Sequence, residues 1–588
     1  MKRCRSTLVS LAVALAAGCA TSAPRITKIV GGREIVTRAV DPNAYEYVGR
    51  ALLFEEERRY EDAINEIKRA LTFDREAPEL HAHLAELYVR LGRVEEAAAA
   101  VKDSLALGES VAGLVAQAHL QQRRGDQGAA VAALRKAAGL TSFSDEPEEA
   151  TTAYLELADA QLVGLEVDGA HETLRALADG LPTSVAARVR LAGVAWALGD
   201  GKQAETRLRE ALALEPNQLD ALLLLGWLHA AEGKRKDAEA RFREALERSE
   251  GSLEVGTALV RYLVSVGANE AAALVADDLA VPAGDETAFF ESLELERAAG
   301  RPKRAIELAR ARREAPDATD ELRGRLDLAI ADLLESEGVP RAALAVLLAV
   351  PRSSPRFGDA RVRAAGILRE TGKADEGLHL LDDAFGVGHP PAETLENDVA
   401  LALALCDEKI GATDQAVSRL DEALGRRPGV PRLVLAKAAL LERHGRWREA
   451  LAVTEKLLLE QPGSAEALNF AGFVAADNGQ DLPRARQRLR AAVALDPGSG
   501  AILDSLGWAH LRSDELALAG IFIEQAGRLE PEDPEILGHL AELYGRRGER
   551  ERAEKTLRKA LAGKAEEAVR KRLEEQLRRL VSPKGGAG

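Results

Sequence analysis

This chain of 588 residues has few aromatic and sulfur-bearing side chains: aromatics are 4% of it, and cysteines number three. Its 46% of hydrophobic residues is mostly Ala, Leu and Val, a stock suited to many thin helix–helix contacts rather than one deep core. No phosphate-cradling Gly-x-x-x-x-Gly-Lys loop, His-Glu-x-x-His pair or Cys-x-x-Cys motif occurs. His81 and His83 stand two apart, so on a helix they point in different directions and cannot share a metal. Carboxylates are abundant everywhere, and no catalytic pair stands out. The reading is therefore a protein that is not an enzyme, with no cofactor, no metal site and no small-molecule substrate. Charged residues are strongly mixed in sign and the net charge is −16, which argues against nucleic acid as a partner, since that needs a clustered basic footprint.

Long hydrophobic runs are also lacking. The amino-terminal stretch Leu8 to Ala17 is too short to span a bilayer, and it follows the basic residues Lys2, Arg3 and Arg5 as the core of a secretory signal does. Leu15-Ala16-Ala17-Gly18-Cys19 resembles the bacterial lipobox, although Ala16 stands where that family more often has Leu. The resemblance implies that residues 1–18 are removed and that Cys19 carries the lipid. Ala20 after the cysteine, rather than Asp, implies transfer to the outer membrane, on its periplasmic face. The alternative is an ordinary signal peptide cut near an Ala-x-Ala site. With Cys4 removed and Cys19 lipidated, Cys406 has no partner for a disulfide and reads as a small buried filler on an apolar helix. Residues 19–42 read as a lipid-anchored linker, with β-prone runs on either side of Gly31-Gly32 suited to a small hairpin.

What the chain does have is a beat. Ala63, Ala97, Ala130, Ala170, Ala204, Ala238, Ala272, Ala305, Ala343, Ala416, Ala450, Ala485, Ala519 and Ala553 share one register with a period near 34 residues, and Gly377 fills the single gap. A fixed period in this range predicts stacked supersecondary units, none able to bury its apolar face alone. In the unit from 185 to 217, Leu191-Ala192 lie on a first helix, Gly199 marks the turn, Ala204, Leu208 and Ala211 lie on a second, and Pro216 closes it. Glycines at 92, 125, 199, 233, 267, 300, 338, 372, 411, 445 and 548 fall at the turns. Extra residues at Thr141–Glu149, around Arg313–Asp320 and at Gly386–Pro391 read as longer loops between units. After Ala560, Val569, Leu573, Leu577 and Leu580 form one apolar stripe, suited to a helix that caps the last unit.

The order of small, bulky and proline positions is similar to that of the tetratricopeptide repeat (TPR). It recurs as Gly226…Ala238…Phe242…Ala245, as Gly472…Ala485…Leu489…Ala492…Pro497 and as Gly507…Ala519…Ile523…Ala526…Pro531. The expected fold is all-α: a right-handed α-solenoid of about fifteen helix–turn–helix units over 43–563, with a capping helix and flexible tail over 564–588. In that family, partners lie along the concave face, lined by the first helices. The resemblance therefore points to Asn469, Phe473 and Asp477 in one unit, Asp504, Trp508 and Arg512 in the next, and Arg546 beyond them, with Trp227 at the matching place earlier. Aromatics beside an Asn, an acid and an arginine suit a peptide-binding patch; the competing reading is that Phe473 and Trp508 fill space between adjacent first helices.

The closing stretch (Leu468-Asn-Phe-Ala-Gly-Phe, Leu503-Asp-Ser-Leu-Gly-Trp and Leu537-Gly-His-Leu) is similar to the last repeats of large proteobacterial TPR lipoproteins, among them an adaptor for a periplasmic protease. The functional expectation is a lipid-anchored periplasmic scaffold that binds protein or peptide partners at the outer membrane and delivers substrates to a protease. Two alternatives stand beside it: an assembly factor for a secretion, pilus, motility or polysaccharide-export machine, and a peptidoglycan- or glycan-binding module.

Overall fold

Every alanine of the 34-residue register is at most 1% exposed, each on the packed face of a helix. At the first-helix glycines the fit is as close: a Cβ on Gly507 would lie 2.5 Å from Ile523 Cγ1, and one on Gly472 would lie 2.6 Å from Leu489 Cγ. Gly377, the gap in the register, has its own cause. A Cβ there would sit 3.2 Å from both the Ala365 carbonyl oxygen and the Cys406 sulfur. Cys406 is buried, its thiol pushed up to about 11 chiefly by burial, and it occupies the room that an alanine methyl takes in other units. It is a packing residue.

The computed structural model describes residues 25–30, 33–38, 42–279, 285–386 and 389–581. Among them lie 31 helices and two short antiparallel strands, Arg25–Val30 and Arg33–Arg38, paired from Arg25↔Arg38 to Val30↔Arg33. Cys19, the signal segment and the terminal tail lie outside the described residues. Among the described residues no helix is long and apolar enough to cross a membrane. All eleven glycines expected at turns have positive φ. Arg58, Leu165 and Asp514 adopt the same left-handed conformation in turns without glycine.

Two of the three extra segments differ from expectation. The first helices Pro147–Val163 and Asp320–Ser336 have 17 residues, against 13 in Val185–Ala197, so much of the added sequence extends a helix by one turn instead of lengthening a loop. In the third, residues 389–395 remain a loop.

The chain divides into two compact units, residues 1–160 and 161–588. In the first, successive first helices Pro78–Arg90 and Val111–Arg123 touch. His119 bridges Glu86 at 2.8 Å and Glu156 at 3.1 Å. Burial disfavours the charged imidazole, but the two carboxylates outweigh it and raise His119 to about 10.

In the second unit, first helices Ala465–Asp477 and Gly500–Arg512 touch, while no pair of successive second helices approaches as closely. The stack therefore bends with its first helices on the inner face. Helix Glu567–Val581 closes it: Leu573 is buried against the last hairpin with Val569, Leu577 and Leu580 beside it.

One contact breaks the nearest-neighbour rule of repeat arrays. First helices Val185–Ala197 and Leu219–Ala231 pack against the second helices Leu482–Leu495 and Leu516–Leu529, about 300 residues further along. The Trp196 indole N–H donates to Gln525 Oε1 at 2.9 Å in a buried setting, and Arg528 donates to the Ala231 carbonyl at 2.8 Å. Small residues allow the approach: a Cβ on Gly193 would lie 3.3 Å from the Ala494 carbonyl oxygen. Here the solenoid fills part of its own inner face.

Candidate functional site

Further along the second unit the inner face is open. Four first helices, Pro431–Arg443, Ala465–Asp477, Gly500–Arg512 and Pro534–Arg546, line a groove of about 780 Å³. Ser464 and Ser499 cap two of them by accepting from the backbone N–H groups of Ala467 and Ile502, and Asp533 caps the fourth by accepting from those of Glu535 and Ile536. These caps fix the axial position of the side chains one and two turns later, including Asn469, Asp504 and His539.

Asn469, Phe473 and Asp504 come together on the groove wall, with Phe470, Ile536 and His539 beside them. Asp504 is 5% exposed. Its Oδ2 accepts from His539 Nδ1 at 2.6 Å. Burial disfavours the His539 cation, but the Asp504 carboxylate overcomes this and raises its pKa. Asp504 Oδ1 is also buried, and neither it nor the buried Asn469 Oδ1 has a hydrogen-bond partner among the described residues. A buried acceptor without a donor costs free energy, so these two oxygens mark where a donor is missing.

Trp508 lies behind this wall. It is 9% exposed, packs with Leu511, Ala519, Ile523 and Leu543, and stacks on the His539 ring at 4.2 Å between centroids. Its indole N–H donates to Asp477 Oδ1 at 3.0 Å, so Asp477 is engaged with the neighbouring unit. Arg546 donates to the Leu511 carbonyl at 2.9 Å and to Glu542. Arg512 is exposed at the edge, its guanidinium 6.0 Å from the Trp508 ring centre. Trp227 stands apart, edge-on to Phe242 at 4.8 Å, with Gly498 against it where the chain covers its own inner face.

His539 was not among the residues singled out by sequence. A signal for it exists: it follows Asp504 by 35 residues, about one repeat, which places the two side by side on neighbouring first helices. Acids dominate the groove's edge, with Glu466, Asp533 and Glu535 on its lining. Burial and then the charges of Asp477 and Glu535 push nearby Glu442 upward.

By architecture the molecule is an all-α helical-repeat protein whose inner face carries an open groove. More particularly, residues 55–118, 195–260 and 411–471 match the tetratricopeptide repeat family. Tetratricopeptide repeats are thus recognised in those three stretches. A TPR repeat-containing protein of Pseudomonas aeruginosa is 31% identical over 194 residues, 32% of this chain. The match covers 31% of that relative's length. Among solved structures, yeast Tom70 aligns at 13% identity over 91% of this chain and 95% of its own, with a TM-score of 0.33. The Cut9–Hcn1 hetero-tetramer of the APC/C aligns at 16% identity over 80% of this chain and 96% of that chain, with a TM-score of 0.30.

Proposed function

We propose that this protein is a non-catalytic adaptor, anchored by a lipid on Cys19 to the periplasmic face of the outer membrane, that holds partner proteins in the groove between residues 430 and 539. The observation that carries this reading is the pair of donor-less buried oxygens, on Asn469 and Asp504, beside the half-buried rings of Phe470 and Phe473. The mechanism is capture at raised local concentration: the groove retains one partner while other stretches of the array hold a second, and the lipid confines both to one surface. Delivery of substrates to a periplasmic protease is the form that the likeness of the closing repeats supports.

A photo-cross-linking amino acid in place of Phe473, introduced in the native host, tests the groove. The expected product is a small set of discrete protein adducts that disappears when the cross-linker is moved to an exposed second-helix position such as Arg558. Adducts that are absent, or the same at both positions, would remove the adaptor reading. For the anchor, palmitate label should be incorporated into the full chain and lost in Cys19→Ala; label that persists in the variant would refute lipidation at that residue.

A further inference from the structure

Resting on the reading of the groove as a partner site, the geometry points to one kind of occupant: we infer that it takes an extended segment of a partner protein carrying a lysine or arginine side chain. Two buried oxygens await donors, Asp504 Oδ1 and Asn469 Oδ1, and Asp504 is a carboxylate whose other oxygen is already committed to His539. A cationic head donating to both completes their hydrogen bonding, and charge-assisted bonds of this kind are the stronger class. The half-buried rings of Phe470 and Phe473 offer the apolar surface on which the stem of such a side chain lies.

The rim selects the same sign. Glu466, Asp533 and Glu535 stand on the lining, whereas the basic residues there are already engaged, Arg432 with Asp398 and His539 with Asp504. Glu535 is itself held by Arg572 at 2.6 Å from outside the lining. An acidic segment would bring a carboxylate against Asp504 without a free cation to receive it. The arrangement therefore discriminates by charge as well as by shape.

The test uses the full chain and short fluorescein-labelled peptides of alternating alanine and leucine around one variable central position, read by fluorescence anisotropy. With arginine at the centre, binding should be roughly tenfold tighter than with norleucine, and glutamate should bind weakest. Asp504→Asn should erase the arginine preference while leaving the norleucine peptide unchanged. Arg572→Gln, which frees the Glu535 carboxylate, should strengthen arginine binding about threefold. Because Asp504→Asn also removes the His539 ion pair, Glu466→Gln on the exposed rim is measured beside it and should weaken the arginine peptide alone. Equal affinities for arginine and norleucine, tighter binding of glutamate, or no binding of any peptide overturns the inference. Groove cross-links in the host that persist beside such a result would leave the adaptor reading standing without the basic ligand.

Discussion

Two stretches of one inner face have opposite fates in the second unit. Around Val185–Ala197 and Leu219–Ala231 the face is covered by the chain's own later helices, with the Trp196–Gln525 bond buried between them. From Pro431 to His539 it is bare, and its buried acceptors wait for donors. Both are built from the same hairpin, with alanine and glycine at the same places. The difference lies in which side chains face inward: an indole that finds an amide within the chain in one stretch, and carboxylate and amide oxygens left unanswered in the other. A repeat pattern specifies the wall; a few non-repeating residues decide who occupies it.

The sharpest way to break this contrast is Trp196→Ala. Removing that fully buried side chain should cost the second unit about 3–5 kcal/mol and speed hydrogen exchange in Leu219–Ala231. Unchanged exchange there would mean that the long-range contact carries no stability. Gly193→Leu, which drives a side chain into the Ala494 backbone, should cost about 1–3 kcal/mol in a chemical-denaturation series while the groove's peptide affinity stays constant. Trp508→Phe probes the open stretch. It removes the bond to Asp477 but keeps most of the stacking on His539, so a loss of about 0.5–1.5 kcal/mol is expected with no change in exchange at 185–231.

The smallest effect is a pH dependence confined to the groove. Folding raises His539 above its ordinary value of 6.5, so the folded chain retains a proton that the unfolded chain releases. That stabilisation is whole below 6.5 and fades as pH climbs through the raised value. Asp504 and Glu535 favour the charged ring and Arg572 opposes it. Asp504→Asn should therefore flatten the alkaline decline in thermal stability; an equal decline in the variant would assign it elsewhere.

The local level of this fold was readable from residues alone. A buried small residue every 34 positions and a left-handed turn between helices are each set by contacts within one or two units, and the terminal stripe ending in Leu580 caps as its periodicity requires. Gly377 was visible only as a gap, because its cause, the Cys406 sulfur, comes from the next hairpin. The extra residues before Ala170 and Ala343 looked like loops, yet their helix-compatible parts joined the helices. The covering of Trp196 was not legible at all, since the pitch of a stack accumulates from small rotations that no single unit encodes. Of the candidate site, Asn469, Phe473 and Asp504 meet in the groove, while Trp508 turned inward because His539, one repeat beyond Asp504, lies across its face.

The embrace between residues 185–231 and 482–529 also has a counting consequence. Ordinary arrays gain or lose a unit by duplication or deletion with little penalty, because each hairpin meets only its neighbours. Here the partners of Trp196 and Arg528 are correctly phased only if a set number of hairpins separates them. Adding or excising one between Ala231 and Leu482 would carry Gln525 past its indole, so this span is held to fixed length in a way that the remainder of the array is not.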